Sequence, residues 1–408
     1  MTPAIAGHHD EAFAGVIGAF RSHLVSTPYG GAALAIYVDG QLVVDVWGGM
    51  ADVVRGRTWE RNTLALAFSV SKSVTAITVL HLVEDELLTL DEPVGTYWPE
   101  FAEHGKAEIT LRQVLAHRAG VPLVDAPLTR EQVIDGGPVL RALEAQAPLW
   151  APGGAHAYHA ITVGHIAAEV VRRVTGRPFG EVFRERIADP LGLDVWIGLP
   201  PSEHARVALT LPSDPTTISY ELVQALQTMN SEDPRPLRAL TLNGALGIPV
   251  PGLVTENSMN DPAFWAAELP AANGIGTARS FAKLHAALVS NVGDGRADDS
   301  QGAEGPKVGL SVKTLDDATR VQTEGQPVLG PPLAAFPRWG TGLMLSSVVR
   351  PMLGPSSFGH DGAAGALVFA DRDARVGFAF LPSVMGPIPE ERVTPIVEEL
   401  RRVLLSRQ

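Results

Sequence analysis

The feature that most constrains the fold of this sequence is an apolar stretch that begins beside a lysine. The segment "SVSKSVTAITVLHLVED" covers residues 69–85, and its apolar side chains face several sides of a helix: Val70, Val74, Ile77, Leu80 and Val83. A helix that is apolar all round is buried, so the sequence predicts a central helix over residues 70–88. Lys72 lies at the edge of this helix, where loss of hydration lowers the pKa of an amine.

Ser69 and Lys72 are three residues apart, which places both side chains on one face at the predicted start of the helix. An uncharged amine beside a hydroxyl is a general base beside a nucleophile. The helix N-terminus also favours an oxyanion through its free N–H groups and its dipole. The spacing alone is a weak motif, since it recurs at Ser280 and Lys283, where the pattern predicts a capped amphipathic helix with an exposed lysine.

Composition excludes several classes of function. The net charge of -13 opposes binding to nucleic acid and to anionic membrane surfaces. The chain has no cysteine, which excludes a disulfide, a thiolate nucleophile and a cysteine-based metal site. The start of the sequence lacks the pattern of an export signal, and no later segment has the roughly 18 uninterrupted apolar residues of a membrane span. We therefore predict a cytoplasmic protein without a nucleic-acid or membrane partner.

Both ends of the chain have the pattern of antiparallel strands. Two apolar runs flank Asp39-Gly40, which is a strong hairpin signal. The other predicted elements of the two ends are a helix at 11–25, strands at 341–349, 365–371 and 375–381, and a helix at 389–405. We expect both ends to share one antiparallel sheet.

The middle of the chain is mostly helical. Helices are predicted at 70–88, 110–117, 129–146, 161–175, 178–188 and 278–291. Two further segments have loop character: 293–307 is predicted to be a mobile surface loop, and 325–340 a stiffer, proline-rich connection. The sequence thus indicates an α+β fold, in which an antiparallel sheet is flanked by N- and C-terminal helices and carries an inserted all-helical domain. We assign 1–66 and 270–408 to the sheet domain and 67–269 to the mainly helical domain, with the active site at their junction.

Three motifs in order carry a resemblance to the serine β-lactamase and penicillin-binding-protein superfamily. They are Ser69-Val70-Ser71-Lys72, Tyr158 after "WAPGGAHA", and "GHDGAAGALVFADRDARVGFAF" from residue 359. Within that superfamily the chain is most similar to β-lactamase-like esterases of the family VIII type, which resemble class C β-lactamases. The resemblance extends over most of the chain and implies the β-lactamase/transpeptidase-like version of the fold predicted above.

The resemblance implies that Ser69 is the nucleophile, that Lys72 is the base and that Tyr158 completes the catalytic set. The family motif Tyr-x-Asn reads Tyr158-His159-Ala160 here, and the missing asparagine argues against a lactamase, where that amide contacts the substrate. We expect the charged form of Lys72 to lower the pKa of the Tyr158 phenol. The phenol would then pass the proton of Ser69 to the leaving group.

The third motif has His360-Asp361-Gly362 where the family has Lys-Thr-Gly. A histidine is mostly neutral at pH 7, so this change points to substrates without a carboxylate. By resemblance, the Ala363 N–H joins the Ser69 N–H as the oxyanion hole, and Gly362 lets substrate approach the strand.

Four other side chains near these motifs leave alternatives open. His360 either binds substrate or packs on its strand, and Trp339 either lines the acyl pocket or covers the sheet. His156 and His159 flank Tyr158, but no third ligand follows from the sequence, so we predict no metal site.

These observations predict a carboxylesterase-type serine hydrolase that cleaves short-chain, small-molecule esters through an acyl-enzyme, without a cofactor. A β-lactamase or D-alanyl carboxypeptidase shares the chemistry but needs an export signal and a cation for the carboxylate of its substrate. An acyltransferase on the same scaffold is a third alternative, and a catalytically idle binding protein is a fourth. The sequence does not indicate acyl specificity or oligomeric state.

Overall fold

Strands from both ends of the chain form one antiparallel sheet, as predicted. The computed structural model describes residues 4–213, 227–228, 230–247, 258–292, 308–331, 333–386 and 391–406. The predicted surface loop at 293–307 lies outside these residues. The strands are β1 Ile5–His9, β2 Gly31–Val38, β3 Gln41–Asp52, β4 Arg57–Thr58, β5 Ala65–Leu66, β6 Val195–Trp196, β7 Ile275–Gly276, β8 Arg338–Trp339, β9 Met344–Leu345, β10 Ser357–Asp361, β11 Leu367–Asp371 and β12 Val376–Pro382.

The main sheet has the order β1-β3-β2-β12-β11-β10-β9-β8, and β4 pairs with β3. The N-terminal and C-terminal strands meet where β2 pairs with β12, with Val38 opposite Val376. The predicted hairpin joins β2 to β3, and both Asp39 (φ 51°) and Gly40 (φ 78°) adopt the left-handed conformation that a two-residue turn of this kind requires.

Most helices of the described part of the chain follow one another between β5 and β6, in the middle of the sequence, as predicted. The bounds of all the described helices are Ala14–Ser26, Ser71–Glu84, Val94–Tyr97, Leu111–Leu115, Arg130–Asp135, Gly137–Ala145, Thr162–Thr175, Phe179–Phe183, Arg235–Thr241, Pro262–Ala266, Ala278–Ala286, Val312–Ala318 and Thr394–Leu405. None of the helices described is long and apolar enough to cross a membrane. The α+β fold class predicted from the sequence is confirmed, while the domain boundaries at 67 and 269 stay a prediction.

Three predicted elements differ from the structure for local reasons. The helix at 129–146 is broken in two at Gly136, whose φ is 82°. The helix at 70–88 ends at Glu84, because Glu86 turns into the left-handed conformation with φ 58°. The strand at 341–349 shrinks to Met344–Leu345, since the Ser347 N–H bonds back to the Arg350 carbonyl in a turn.

Helices cover both faces of the main sheet. The helices Ala14–Ser26 and Thr394–Leu405 pack together on one face, over a core that includes Phe20, Phe378 and Leu400. The helix Ala278–Ala286 packs against β12 and β2 on the other face. Lys283 belongs to this helix and is buried, so its predicted exposure is wrong: every residue from Ser280 to Ala286 is buried, and the helix has no exposed face there.

A second, three-stranded sheet links the two segments that build the site. Its order is β5-β7-β6, with Ala65 opposite Gly276 and Leu66 opposite Ile275. The strand β5 leads directly into Ser69, and β7 follows the segment 270–274. This small sheet therefore holds the turn before the central helix against a segment that is about two hundred residues distant in the chain.

Candidate active site

Ser69 lies in a tight turn between β5 and the buried helix Ser71–Glu84. The residue before it, Phe68, has φ 50°, a conformation that is strained for a bulky side chain and is held only by its surroundings. Ser71 supplies that support, because its hydroxyl donates to the Phe68 carbonyl and accepts a 2.7 Å hydrogen bond from the Gly274 N–H. The turn presents Ser69 at the N-terminal end of the central helix, as the sequence predicts.

The amine of Lys72 points at Ser69 from inside the protein. Its Nζ lies 3.2 Å from Ser69 Oγ and donates a 2.8 Å hydrogen bond to the carbonyl oxygen of Ala271. The side chain is buried, and burial lowers the pKa of Lys72 to about 7, against the opposing effect of the nearby Asp361 carboxylate. A large fraction of the amine is therefore uncharged near neutral pH.

Tyr158 completes a three-way contact at the serine oxygen. Its hydroxyl donates to Ser69 Oγ over 3.0 Å, and Lys72 Nζ lies 4.8 Å from the centre of its ring. The predicted lowering of the phenol pKa is wrong, because burial raises the pKa of Tyr158 more than its hydrogen bond to Ser69 lowers it. The same burial leaves Lys72 only partly charged, so the amine adds little electrostatic stabilisation of the phenolate. The phenol is thus a proton donor in the free protein.

Two of the predicted substrate-binding residues lie behind Tyr158. The Trp339 ring stacks on Tyr158 with 5.4 Å between centroids, and the His360 ring lies 5.3 Å from Trp339. Trp339 is 5% exposed and His360 1%. Neither is among the described residues that line the pocket beside Ser69. The structure favours the packing alternative for both.

Burial favours the neutral form of His360, and a hydrogen bond to the backbone places its proton on Nδ1. Its Nδ1 donates to the carbonyl of Asp361 at 2.7 Å, and burial lowers the pKa of the ring. The Asp361 carboxylate accepts a 2.7 Å hydrogen bond from Arg350 Nε. Burial by itself raises the pKa of Asp361, but His360 and Arg350 outweigh it and the net pKa is lowered. The motif that replaces Lys-Thr-Gly therefore offers a neutral ring and a paired carboxylate instead of a free cation.

Gly362 and Ala363 follow β10 and lie next to the serine turn. A Cβ atom on Gly362 would lie 2.4 Å from the carbonyl oxygen of Ala67. The glycine is thus required by the packing of the strand against the turn that carries Ser69, a reason different from the substrate access that we predicted. Ala363 is exposed and lines the same pocket as Ser69.

An apolar pocket of about 530 Å³, counted to its open mouth, reaches Ser69. Ser69 and Tyr158 are the polar members of its described lining. The other described lining residues are apolar: Phe68, Ala160, Ile161, Leu240, Leu246, Met259, Phe264, Ala272 and Ala363. Ala160, the residue in place of the family's asparagine, is part of this wall, so the pocket gains apolar surface where lactamases have an amide.

Two histidines that flank the site fix the tyrosine segment. His159 Nδ1 donates to the Ala157 carbonyl at 2.7 Å, and Nε2 accepts from the Val121 N–H at 3.1 Å. The His159 N–H in turn donates to His117 Nδ1 at 3.2 Å, and the His117 ring lies edge-on to Tyr158 at 4.9 Å. Both ring nitrogens of His159 are therefore engaged with the backbone, and within the described ranges no group of three or more metal-ligating side chains occurs.

Two groups that contact the predicted catalytic side chains did not follow from the sequence. The Ala271 carbonyl has no side-chain signature, and His117 is visible only as a histidine at the end of a predicted helix. The structure brings both to Lys72 and Tyr158. Proximity in the fold, and not residue type, identifies them.

The family model named Beta-lactamase matches residues 18–401. The chain belongs to the beta-lactamase family. The predicted relationship to this superfamily is confirmed, and the protein is a serine hydrolase of the beta-lactamase and esterase family.

Individual relatives of the beta-lactamase family agree with this assignment. Esterase/beta-lactamase LipL of Mycobacterium tuberculosis (strain ATCC 25618 / H37Rv) is 32% identical over 382 residues, which are 92% of this chain and 82% of that protein. The crystal structure of a family VIII carboxylesterase superposes with a TM-score of 0.83 and 30% identity, covering 98% of this chain and 100% of that chain. EstA from Arthrobacter nitroguajacolicus Rue61a gives a TM-score of 0.82 and 28% identity, with 100% of both chains covered.

Proposed function

We propose that this protein hydrolyses short-chain, uncharged carboxylic esters through an acyl-enzyme formed on Ser69. The observation that carries the proposal is the double contact at Ser69 Oγ, which lies 3.2 Å from Lys72 Nζ and 3.0 Å from the Tyr158 hydroxyl. A buried amine with a pKa of about 7 can accept a proton near neutral pH. A buried phenol with a raised pKa keeps its proton and can donate it to an alkoxide. The site thus holds one group for each proton transfer of ester cleavage.

In the acylation step, Lys72 takes the proton of the Ser69 hydroxyl as Oγ attacks the ester carbonyl. The negative charge moves to the carbonyl oxygen, and we assign its stabilisation to the backbone N–H groups of Ser69 and Ala363. When the C–O bond breaks, Tyr158 donates its proton to the departing alkoxide and recovers a proton from the ammonium of Lys72. The alcohol leaves, and the acyl group stays on Ser69 as an ester.

Deacylation repeats these transfers with water in place of the serine. Tyr158 and Lys72 remove a proton from the attacking water, and the proton returns to Ser69 Oγ as the acyl–oxygen bond breaks. The carboxylic acid leaves and the free hydroxyl is restored. No cofactor enters this scheme, because each bond change is matched by a proton that these two side chains supply.

The pocket lining supports an uncharged, apolar acyl group as the preferred substrate part. All of its described lining except Ser69 and Tyr158 is apolar, so a carboxylate bound there would lose its hydration without gaining a partner. Leu240 is 39% exposed at this pocket and can be replaced without disturbing a core. We expect Leu240→Asp to raise KM for a butyrate ester several-fold with little change in kcat. The matched control Leu405→Asp, at an exposed position of the C-terminal helix, leaves both constants unchanged.

The decisive test compares hydrolysis of p-nitrophenyl butyrate by the wild type, Ser69→Ala and Ser73→Ala. Ser73 is a fully buried serine of the same helix that donates to the Val70 carbonyl at 2.8 Å, so it controls for the loss of a hydroxyl. We expect Ser69→Ala to lose at least about a thousandfold in kcat and Ser73→Ala to stay within a few-fold of the wild type. Equal rates for wild type and Ser69→Ala would refute the proposal.

A β-lactamase activity is the second candidate, since the relative LipL is named as both an esterase and a beta-lactamase. The shared Ser69, Lys72 and Tyr158 arrangement would serve either reaction. Turnover of nitrocefin measured beside that of p-nitrophenyl butyrate separates them. We expect the ester to be the better substrate by at least about a hundredfold in kcat/KM, because the pocket lacks the polar groups that a lactam side chain needs.

A further inference from the structure

A second, smaller cavity borders Lys72. It offers about 10 Å³ for the centre of a water molecule, which is the size of one water site. Three of its lining residues have polar side chains, Lys72, Thr75 and His117, and Leu115 and Val163 are among the apolar residues beside them. A cavity of this size with three polar partners meets the conditions under which proteins bind a single internal water.

The hydrogen bonds already present define what Thr75 and His117 can offer to this cavity. The Thr75 hydroxyl hydrogen goes to the carbonyl of Pro270 at 2.6 Å, so the oxygen keeps its capacity to accept. His117 Nδ1 accepts from the His159 N–H at 3.2 Å, and burial holds the pKa of this ring well below its usual value. The neutral ring therefore carries its hydrogen on Nε2, which makes His117 a donor and Thr75 an acceptor.

Lys72 needs an acceptor in this cavity if its electron pair is to face the serine. An uncharged amine has two N–H bonds and one electron pair. One N–H donates to the Ala271 carbonyl at 2.8 Å. If the second N–H has no acceptor elsewhere, it turns to Ser69 Oγ, and the electron pair points away from the proton that it must take. An acceptor on the cavity side removes this alternative.

We propose that the cavity binds one water molecule, which accepts hydrogen bonds from Lys72 and His117 and donates one to Thr75, and thereby directs the electron pair of the amine at Ser69. The water then makes three hydrogen bonds, the usual number for an internal water. Thr75 and His117 are positioning residues in this scheme, because they act on the serine only through Lys72. The orienting effect rests on the proposed function, whereas the water site itself does not.

Two substitutions test the proposal without touching Ser69, Lys72 or Tyr158. Thr75→Val removes the acceptor, and Val163→Ile fills the cavity while every polar group stays in place. Thr78→Val controls for the loss of a buried threonine hydroxyl, since Thr78 lies one turn further along the same helix and donates to the Val74 carbonyl at 2.8 Å. Thr75→Val also removes the bond to the Pro270 carbonyl, which Val163→Ile leaves in place. Thermal unfolding of Thr75→Val and Thr78→Val compares the cost of losing each hydroxyl, and that of Val163→Ile measures the cost of filling the cavity.

We expect Thr75→Val and Val163→Ile to lower kcat for p-nitrophenyl butyrate about tenfold or more, with KM within about twofold of the wild type. The pH at which the rate rises also shifts in both variants. This shift can be assigned to the cavity, because the other ionisable groups around the amine remain as they are: Tyr158, His117, His360 and Asp361. Thr78→Val keeps the wild-type kcat and pH profile. Wild-type kinetics in both cavity variants would overturn the orienting role.

A crystal structure at high resolution provides the readout that does not depend on activity. We expect a water peak within hydrogen-bond distance of Lys72 Nζ and Thr75 Oγ1 in the wild type and none in Val163→Ile. An empty cavity in the wild type would overturn the water site. If the wild type neither hydrolyses esters nor reacts with a fluorophosphonate probe, the proposed function fails, and the crystallographic result still decides the water site.

Discussion

A Cβ atom on Gly362 would lie 2.4 Å from the carbonyl oxygen of Ala67, two residues before the serine nucleophile that we propose. The end of β10 and the serine turn are thus in backbone contact. Gly362→Ala must push the two apart, so we expect a loss of about 1–3 kcal/mol in unfolding free energy and a fall of about tenfold or more in kcat. Urea unfolding and ester kinetics measure both quantities.

Gly18→Ala is the control for that substitution. Gly18 lies in the helix Ala14–Ser26, and a Cβ atom there would meet nothing within 4 Å. This change should stabilise the protein by up to about 1 kcal/mol and leave kcat unchanged, since alanine is the better helix former. A Gly362→Ala variant with wild-type kcat would show that the contact with Ala67 does not position the serine.

The activity should rise with pH through the titration of Lys72. The base is its uncharged form, and burial lowers the pKa of this amine to about 7. The uncharged fraction therefore grows from about a tenth at pH 6 to about nine-tenths at pH 8, and kcat/KM for a nitrophenyl ester should rise nearly tenfold. Lys72→Arg should be inactive across this range, because a guanidinium stays charged. A flat wild-type profile from pH 6 to pH 8 would exclude Lys72 as the base.

The loss of rate on removal of the Tyr158 hydroxyl should depend on the leaving group of the ester. The phenol donates to Ser69 Oγ at 3.0 Å, and we assign it the protonation of the departing alkoxide. We expect Tyr158→Phe to lower kcat/KM, which reports acylation alone, by about 10²–10⁴ for ethyl butyrate and much less for p-nitrophenyl butyrate, since nitrophenolate leaves without a proton.

Tyr97→Phe is the control for the tyrosine experiment. Its hydroxyl accepts a hydrogen bond from the Thr89 N–H at 3.0 Å, outside the described lining of the pocket. Both esters should react at wild-type rates in this variant. Equal losses for the two esters in Tyr158→Phe would mean that the phenol acts on the attacking serine and not on the leaving group.

Buried neutral histidines should make the fold sensitive to acid. Burial lowers the pKa of His23 to about 3 and that of His159, His165 and His285 to about 4. The unfolded chain binds protons at these side chains below about pH 6.5, while the folded protein does not, so stability is lost as the pH falls from 6.5 toward 4. Each group contributes about 1.4 kcal/mol per pH unit inside this window.

Urea unfolding at pH 7.5, 6.5 and 5.5 measures this loss. Four such groups together remove about 5 kcal/mol per pH unit, which is comparable to the whole stability of many domains. His23 packs edge-on against Phe380, so His23→Leu keeps the site apolar. This variant should lose the contribution of one histidine to the pH dependence of the unfolding free energy. His8→Gln, at the exposed edge strand β1, should leave it unchanged. A stability independent of pH between 7.5 and 5.5 would contradict the prediction.

The part of the site that follows from local geometry was predictable from the sequence. Ser69 and Lys72 meet because they are three residues apart on a helix, and Tyr158 was placed by resemblance. The Ala271 carbonyl and His117 were not predictable, since their roles depend on segments that only the fold brings together. His117 also takes a left-handed conformation, φ 63°, which the helix predicted over 110–117 does not include.

The fold likewise divides into features set by local sequence and features that depend on the surrounding structure. The hairpin at Asp39-Gly40 was predictable because its turn has a strict conformational requirement. The shortening of the strand at 341–349 was not, because Val348 is apolar in sequence yet 87% exposed in a turn. The depressed phenol pKa was predicted wrongly for a related reason: charge proximity is readable from motifs, whereas the depth of burial around Tyr158 is not.

The seam between β2 and β12, where Val38 faces Val376, has a consequence for biosynthesis. The N-terminal hairpin leaves the ribosome long before its neighbour β12 is translated. Until then, the backbone groups on the outer edge of β2 have no partner strand. Such unpaired edges favour association with other chains, and contacts of high sequence separation slow folding. Nascent copies of this enzyme should therefore rely on chaperones until the last strands emerge, after which sheet closure and assembly of the serine turn are coupled.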